Sequence, residues 1–476
     1  MTRRYRLVPI LFCLALIAAA CGQKHGVHLA SGSSRLGANG AAVDQNGDLV
    51  NPDTGQPVAG GAAAGGGGGG AAGGGGGGGT AGSRAGTAGG TSGTSGGGGT
   101  GGGAIVGDTI VVGIHAPVTG AAPFPATAFS KGKDVYFRYL NDTQNGINGR
   151  KVQVVFQDDQ YNPSAAVAAC KQMVEQNHAF VLVGGGGTDQ IVACSQYAAS
   201  VGVPYLAEGV AEAPLAKLAN YFALSMTYKQ QGLPLAQYMK NVLHVQRVAM
   251  IRGDTPNFED AHSGFIQAAQ GLGLHISQDI KIPKDASTAE ATAAGGQLCS
   301  NPTDKPQAVY PLIAPSIWVQ IVAGAHGQAC DPIWSGVGVT EGLNTVAAII
   351  CPAGAKEAHF FSPFPGIDQM DQFDPAFRQA YDKYNPPPNR ADEYDIGWDL
   401  WAAEKLIGSM LAAPGKNLSK ESFVSTAAGK SFHTGIYPDV NYANSRFGGT
   451  AVHGLKVNCS ANPPVYNTEF TFKSSF

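Results

Sequence analysis

The sequence predicts an α/β protein: two units, each a parallel sheet with helices on both faces, with a cleft between them. Three observations predict it. From Thr109 onward, short β-branched runs alternate with helical stretches joined by brief connections, the pattern of a parallel sheet covered on both sides. After Tyr221 the alternation restarts at similar size, which makes two lobes. Hydrophobic residues are 43% and charged residues 14%, a globular composition diluted by 68 glycines.

Taken in order, residues 1–20 carry Arg3, Arg4 and Arg6 and then an apolar run from Leu7 to Ala20, a signal peptide too short for a membrane span. Ala18-Ala19-Ala20-Cys21-Gly22 resembles a bacterial lipobox, with Cys21 as the lipidated new N-terminus. Ala18 stands where Leu is usual, and the same alanines suit an ordinary signal peptidase, which would leave a secreted or periplasmic soluble protein. Residues 21–59 are polar and unpatterned. In residues 60–103, 27 of 44 positions are glycine, so no core can form and the stretch reads as a flexible linker. Random-coil scaling gives it a span of roughly 35–40 Å.

The first unit begins near Asp108. Thr109–His115 reads as a strand ended by the turn Ala116–Gly120, and Ala126–Asn141 as a helix with Phe129, Val135, Tyr136 and Tyr139 in helical spacing. Asn145-Gly146 and Asn148-Gly149 mark a turn before the strand Lys151–Phe156. Pro163 opens a helix running to about Gln176. Ala179–Val183 is a buried strand, Gly184–Gly187 a loop without side chains, and Asp189–Ser200 a helix that Thr188 can cap. Val203–Leu206 is the next strand. Thr119, Asp158, Gly185 and Gly209 fall at strand carboxyl ends, where such sheets bind ligands.

The second unit reads as helix Gln230–Val242, strand Arg247–Ile251, helix Phe258–Leu272, strand Leu274–Ile280 and helix Thr288–Cys299. Strand Gln307–Ile313, helix Ser316–His326 and strand Pro332–Ser335 follow. Beyond them come a strand at Ala358–Phe361, helices at Asp374–Tyr384 and Ala391–Leu411, a helix start at Ser419 and an alternating strand at Tyr466–Phe472.

Gly184–Gly187 with the helix start at Thr188 makes a cradle for a small carboxylate, because a helix N-terminus offers unpaired N–H groups to an anion. The competing reading is a tight βα turn that needs glycine for steric reasons alone. No Lys-Ser or Lys-Thr follows the glycines, which argues against a phosphate loop. The formal charge of −3 and the lack of a basic stripe argue against nucleic acid. There is no H-E-x-x-H and no C-x-x-C, so neither a catalytic metal nor a zinc ribbon is expected, nor any cofactor. The G-x-S-x-G at Gly93–Gly97 lies in the glycine-rich stretch without a strand before it, a chance match. His115, His262 and His433 have no motif partners, and His115 reads as a packing or rim residue. The chain reads as no enzyme.

The order of elements, with APVTG after the first strand, INGRKVQVVFQDD, ACKQMVEQNHAFVLVG and VGVPYLAEG, resembles the leucine/isoleucine/valine-binding proteins. These are type I periplasmic binding proteins of branched-chain amino acid ABC transporters. The resemblance covers about Asp108 to Phe476. It implies two Rossmann-like lobes joined by three crossovers near Ser225, Phe361 and Phe432. Lobe 1 would hold 108–225 with about 362–432, and lobe 2 about 226–361 with 433–476. It implies a monomer that captures a small-molecule ligand by hinge closure and delivers it to an ABC permease, tethered to the outer face of the cell membrane by its lipid anchor. A ligand sensor of the same fold is the alternative.

Carried over residue by residue, the resemblance puts the hydroxyl that holds the ligand carboxylate on Thr188, with backbone help from Gly186 or Gly187. The acceptor for the ligand amine falls at Gly209 or Val210, and the hydroxyl soon after it is lost at Ala211. The second-lobe aromatic falls on Phe258, and the first-lobe aromatic on Phe124 or Pro125. The carboxylate that pairs the ligand ammonium falls near Gly338 and is absent. Glu341, three residues on, is a candidate substitute, although an exposed loop carboxylate is more often only solvated; Glu208, Glu212 and Asp254 are further candidates. An ordinary amino acid should bind weakly unless one of these carboxylates takes over, so the expected ligand, amino-acid-like or carboxylate-bearing, has a carboxylate or another hydrogen-bond acceptor and an apolar body, with an amino acid still open.

Outside the leader and anchor, six cysteines form an even set in an exported protein. The family often has a bridge between the helices that hold Cys170 and Cys194, which implies that pair. Cys299 and Cys330 flank a β-α unit and are the second pair. Cys351 and Cys459 remain.

Overall fold

A computed structural model describes residues 108–338 and 340–476, together with a short antiparallel ribbon of Arg35–Leu36 and Ala42–Val43. Apart from that ribbon, the expected signal peptide, Cys21 and the stretches 21–59 and 60–103 lie outside the described residues.

Nine elements build the first sheet and its helices: β1 (Thr109–Ala116), α1 (Ala126–Gly132), α2 (Val135–Gln144), β2 (Lys151–Asp158), α3 (Pro163–Glu175), β3 (Val181–Gly184), α4 (Thr188–Ser200), β4 (Tyr205–Ala207) and β5 (Tyr221–Ala223). The strands run all parallel in the order β2-β1-β3-β4-β5. Central strands are buried on both faces, so their sequences are continuously apolar rather than alternating; all four residues of β3 are buried. Asn162 starts α3 by accepting from the N–H groups of Ser164 and Ala165, and Pro163 fills the first helical position. The single helix expected over Ala126–Asn141 breaks at Lys133–Asp134. Asp134 leaves the helical region with φ −143°, and Gly132 packs against Gly397, where a side chain would not fit.

The second sheet is built by α5 (Tyr228–Asn241), β6 (Arg247–Asp254), α6 (Glu259–Gly271), β7 (His275–Pro283), α7 (Thr288–Gln297), β8 (Ala308–Leu312), α8 (Pro315–Gly327), β9 (Ile333–Val337), α9 (Asn344–Ala353) and β10 (Ala358–Ser362). Thr227 and Ser287 close capping boxes with Gln230 and Glu290, which fixes the starts of α5 and α7. The chain then forms α10 (Met370–Phe373), α11 (Ala376–Tyr384), α12 (Ala391–Ala412) and α13 (Lys420–Ala427). It ends in β11 (Ser431–Phe432), β12 (Val440–Asn441), β13 (Val452–Asn458) and β14 (Val465–Lys473). The seven-stranded order is β14-β13-β10-β9-β8-β6-β7, with β13 and β14 antiparallel to their neighbours. Tyr466–Phe472 therefore does form an edge strand, and its partly exposed alternation follows from that position.

Three passages join the lobes. The first follows β5. The second follows β10, because α12 returns to the first lobe: Trp401 packs edge-on against Tyr136 at 5.0 Å, and Glu404 accepts from the Tyr136 N–H at 3.2 Å. The third falls later than Phe432. Tyr442 still packs on Phe222 at 5.0 Å and donates to the Ala223 carbonyl at 2.7 Å, and Phe447 bridges Ala223. The chain leaves the first lobe only between Phe447 and Val452, so 433–447 belong to it. Aromatic residues in a region without strand periodicity concealed this.

Disulfides join Cys170 to Cys194, Cys299 to Cys330 and Cys351 to Cys459. Among the described residues no helix is long and apolar enough to cross a membrane.

Candidate functional site

Loops at the carboxyl ends of β1, β2 and β3 face loops of the second lobe across a cavity of about 370 Å³. The first lobe contributes Pro117, Ala122–Pro125, Tyr161, Gly187 and Thr188, and the second Tyr228, Phe258, Leu312–Ser316, Thr340, Glu341 and one face of α9. An apolar cavity of about 150 Å³ holds benzene, so this one accommodates a substituted ring or an amino acid.

Phe124, its alternative Pro125 and Phe258 all line the cavity. Phe124 stands directly over Gly186: a Cβ there would lie 2.7 Å from Phe124 Cε2. Gly186 is thus a support for the aromatic wall and does not itself line the cavity. Gly187 does line it, at φ +78°.

Thr188 lines the cavity at 6% exposure, but it is no cap. Helix α4 begins at Thr188 itself, Gly187 holds the capping position, and no side chain caps it. The hydroxyl makes no capping bond and instead meets the Tyr228 phenol of the other lobe in a side-chain hydrogen bond. A hydroxyl not spent on capping, at the very start of α4, keeps Thr188 a candidate donor beside the first-turn N–H groups.

Gly209 and Val210 are corrections. Val210 is 2% exposed and belongs to the core of the first lobe, as does Ala211. Gly209 donates its N–H to Ser225 Oγ at 2.9 Å and is pressed against the Met226 backbone at the first passage between lobes. Neither lines the cavity; the turn after β4 is packed against Ser225 and Met226 instead.

Glu341 is a correction in the other direction. It is not a solvated loop residue: it is 7% exposed and lines the cavity. Thr340 Oγ1 donates to its Oε2 at 2.8 Å, and burial pushes its carboxyl up from 4.5 to about 7. A Cβ on Gly338 would collide with that same Oε2. The Glu341 carboxylate therefore occupies the space that a side chain at 338 would enter. Of the other candidate carboxylates, Glu212 is taken by Thr227 and Lys229, Asp254 by Lys281 and Glu208 by Tyr437. None of these three lines the cavity.

Two residues that sequence reasoning missed are Tyr161 and Tyr228. Tyr161 sits at φ +55°, held by its N–H to Asp159 Oδ1 at 3.0 Å. Asp159 Oδ2 in turn meets His115 Nδ1 at 2.7 Å, and His115 Nε2 meets the Tyr205 hydroxyl at 2.6 Å. All three are fully buried, so His115 is a polar core residue that anchors the Tyr161 turn. His115 also lies near Cys170 and Cys194, but those sulfurs bond each other and offer no thiolate to a metal. The Asp-Asp ending of β2 was the available signal for this network. For Tyr228, which sits in a capping box, the sequence carried none.

Two lobes of parallel sheet, three passages and a lined cavity between them define a hinged binding protein. Residues 109–457 match the model of the family described as periplasmic binding protein, and the chain belongs to that family. Among curated relatives, an amino acid binding protein of Pseudomonas aeruginosa is 28% identical over 144 residues, 30% of this chain and 38% of that protein. A Leu/Ile/Val-binding protein homolog of Brucella abortus is 27% identical over 149 residues, 31% of this chain and 40% of that protein. The matches thus span about two fifths of these relatives.

Solved structures share the fold over most of the chain. A solute-binding protein of an ABC transporter from Rhodopseudomonas palustris, in complex with 3,4-dihydroxybenzoic acid, has TM-score 0.59 and 16% identity, covering 77% of this chain and 99% of that one. The branched-chain amino acid binding protein LivJ of Streptococcus pneumoniae, with isoleucine, has TM-score 0.60 and 17% identity, covering 76% and 99%. A fatty acid ABC transporter binding protein from Thermomonospora curvata has TM-score 0.62 and 17% identity, covering 78% and 94%.

Proposed function

We propose that this chain is an extracytoplasmic solute-binding protein that captures a small amino-acid-like or carboxylate-bearing ligand by closing its lobes, and delivers it to an ABC permease. The carrying observation is the interlobe cavity with Thr188 and the α4 N-terminus on one wall and Glu341 on the other. The first is suited to a carboxylate, the second to an ammonium. Phe124, Phe258, Leu312, Leu343, Val346 and Ile349 would take an apolar body. The usual ammonium partner is missing at Gly338, and Glu341 fills its place from three residues further on. Among the described residues no basic side chain lines the cavity, so a carboxylate without an ammonium would confront Glu341 and bind best with that group protonated.

Binding without chemistry fits the site. The Asp159–His115–Tyr205 network is buried, and none of its three members lines the cavity; it only holds the Tyr161 turn from behind. Cys21 would tether the domain to the membrane, with residues 60–103 as the spacer. Calorimetry with aliphatic amino acids against benzoates and short-chain acids tests the reading. Saturable binding of one class supports it, and failure of both classes to bind would refute it.

A further inference from the structure

We propose that Asp189 is an interlobe clasp whose contribution to closure does not depend on what fills the cavity. This rests on the reading of the chain as a protein that closes on a ligand. Asp189 is the second residue of α4, in the first lobe. Three donors of the second lobe converge on its carboxylate. Thr255 Oγ1 and Asn257 Nδ2 each donate to Oδ1 at 2.7 Å, and Lys284 Nζ pairs with Oδ2. Thr255 and Asn257 follow β6 and Lys284 follows β7, so two separate loops are fastened to one side chain.

The clasp differs from a surface ion pair. Its two charged side chains are 14% and 25% exposed, and a carboxylate with several charge-assisted bonds in a partly dry site is held much more firmly than an exposed pair. It is also linked to the cavity wall: Lys284 Nζ stands 5.2 Å over the centroid of the Tyr161 ring. Yet Asp189 itself lines no part of the cavity, and its hydrogen-bond partners are protein atoms. These contacts exist only when the lobes are together. They therefore raise the closed population by the same factor for any ligand, and apparent affinity scales with that population.

The test needs no ligand, so its failure is distinct from failure of the binding reading. Spin labels at exposed Gln144 of the first lobe and Val242 of the second report the interlobe distance in the ligand-free chain. Asp189→Asn and, independently, Lys284→Met should each reduce the ratio of short to long distances by about tenfold, the loss expected of one hydrogen bond to a charged group. The double variant should add little to either single one. Far-ultraviolet circular dichroism and the thermal midpoint confirm that each variant is folded. Distance distributions unchanged from wild type in both folded single variants would overturn the clasp, as would full additivity in the double variant.

Discussion

Glu341→Gln should stabilise the protein and weaken its binding at the same pH. The carboxyl is 7% exposed, and burial raises it from 4.5 to about 7. A buried acid with a raised pKa keeps its proton in the folded state at pH values where the unfolded chain has lost it. The folded state therefore holds more protons than the unfolded one between about pH 4.5 and 7, and stability falls as pH rises through that window. At about 1.4 kcal/mol per pH unit, the rise amounts to roughly 3 kcal/mol by pH 8. Glutamine keeps the shape and cannot ionise. The variant should match wild type near pH 4 and exceed it at pH 8 by up to roughly 3 kcal/mol in urea melts. Binding runs the opposite way. An ammonium guest needs the carboxylate ionised, so amino-acid affinity should climb with pH, by up to about tenfold per unit, and level off above pH 7. At pH 6 L-leucine should release close to one proton, read by calorimetry in buffers of different ionisation enthalpy. At pH 8 the variant should lose about 1.5–3 kcal/mol of leucine affinity, the range for a hydrogen bond to a charged group. A benzoate guest would invert the pH slope. Equal stability of the two proteins across pH, or undiminished leucine binding by the variant, would refute the reasoning.

Four further variants probe the site and the frame around it. Thr188→Val should raise the Kd for a carboxylate guest about 5- to 20-fold by calorimetry, at the cost of one hydrogen bond. Its thermal midpoint should stay within about 2 °C of wild type, since Thr188 makes no capping bond. Gly186→Ala would drive a methyl to 2.7 Å from Phe124 Cε2 and should cost about 1–3 kcal/mol in denaturant melts while weakening every guest. Removing Cys351–Cys459, which closes 108 residues, should cost about 5 kcal/mol, against about 3.5 for Cys170–Cys194, which closes 24. Denaturant midpoints of the paired alanine variants would check the order.

The first lobe was legible because its signals are local. Asn162-Pro163 caps a helix and opens it, Asn145-Gly146 turns the chain, and β3 is apolar throughout, β1 all but Thr109 and His115, because both their faces are covered. Thr188 follows from the strand, the bare loop and the helix start, whereas Phe124 comes only from the family resemblance, as an alternative to Pro125; both line the cavity. Gly209 too stands at a strand's carboxyl end, and the expectation of a ligand there fails. The turn after β4 is packed against Ser225 and Met226, and strand order does not reveal which rim loops such contacts take up.

The cavity wall formed by α9 was illegible for a different reason. Asn344–Ala353 has no polar face to set a period and no capping side chain at Leu343. Its first N–H is satisfied from 51 residues away, by Asp395 of α12 in the first lobe at 2.7 Å. The start of this helix is thus written in tertiary structure, and it is the same helix that brings Val346 and Ile349 against the ligand space. The residue that closes the helix end also ties the second-lobe wall to the first lobe. Asp395 is itself buried, with its carboxyl raised from 3.8 to about 7. Two carboxyls with the same displaced titration range, Glu341 in the cavity and Asp395 behind its wall, therefore sit on either end of the segment 341–344. Asp395→Asn preserves an acceptor for the Asn344 N–H, so it isolates the Asp395 share of any pH dependence that survives in Glu341→Gln.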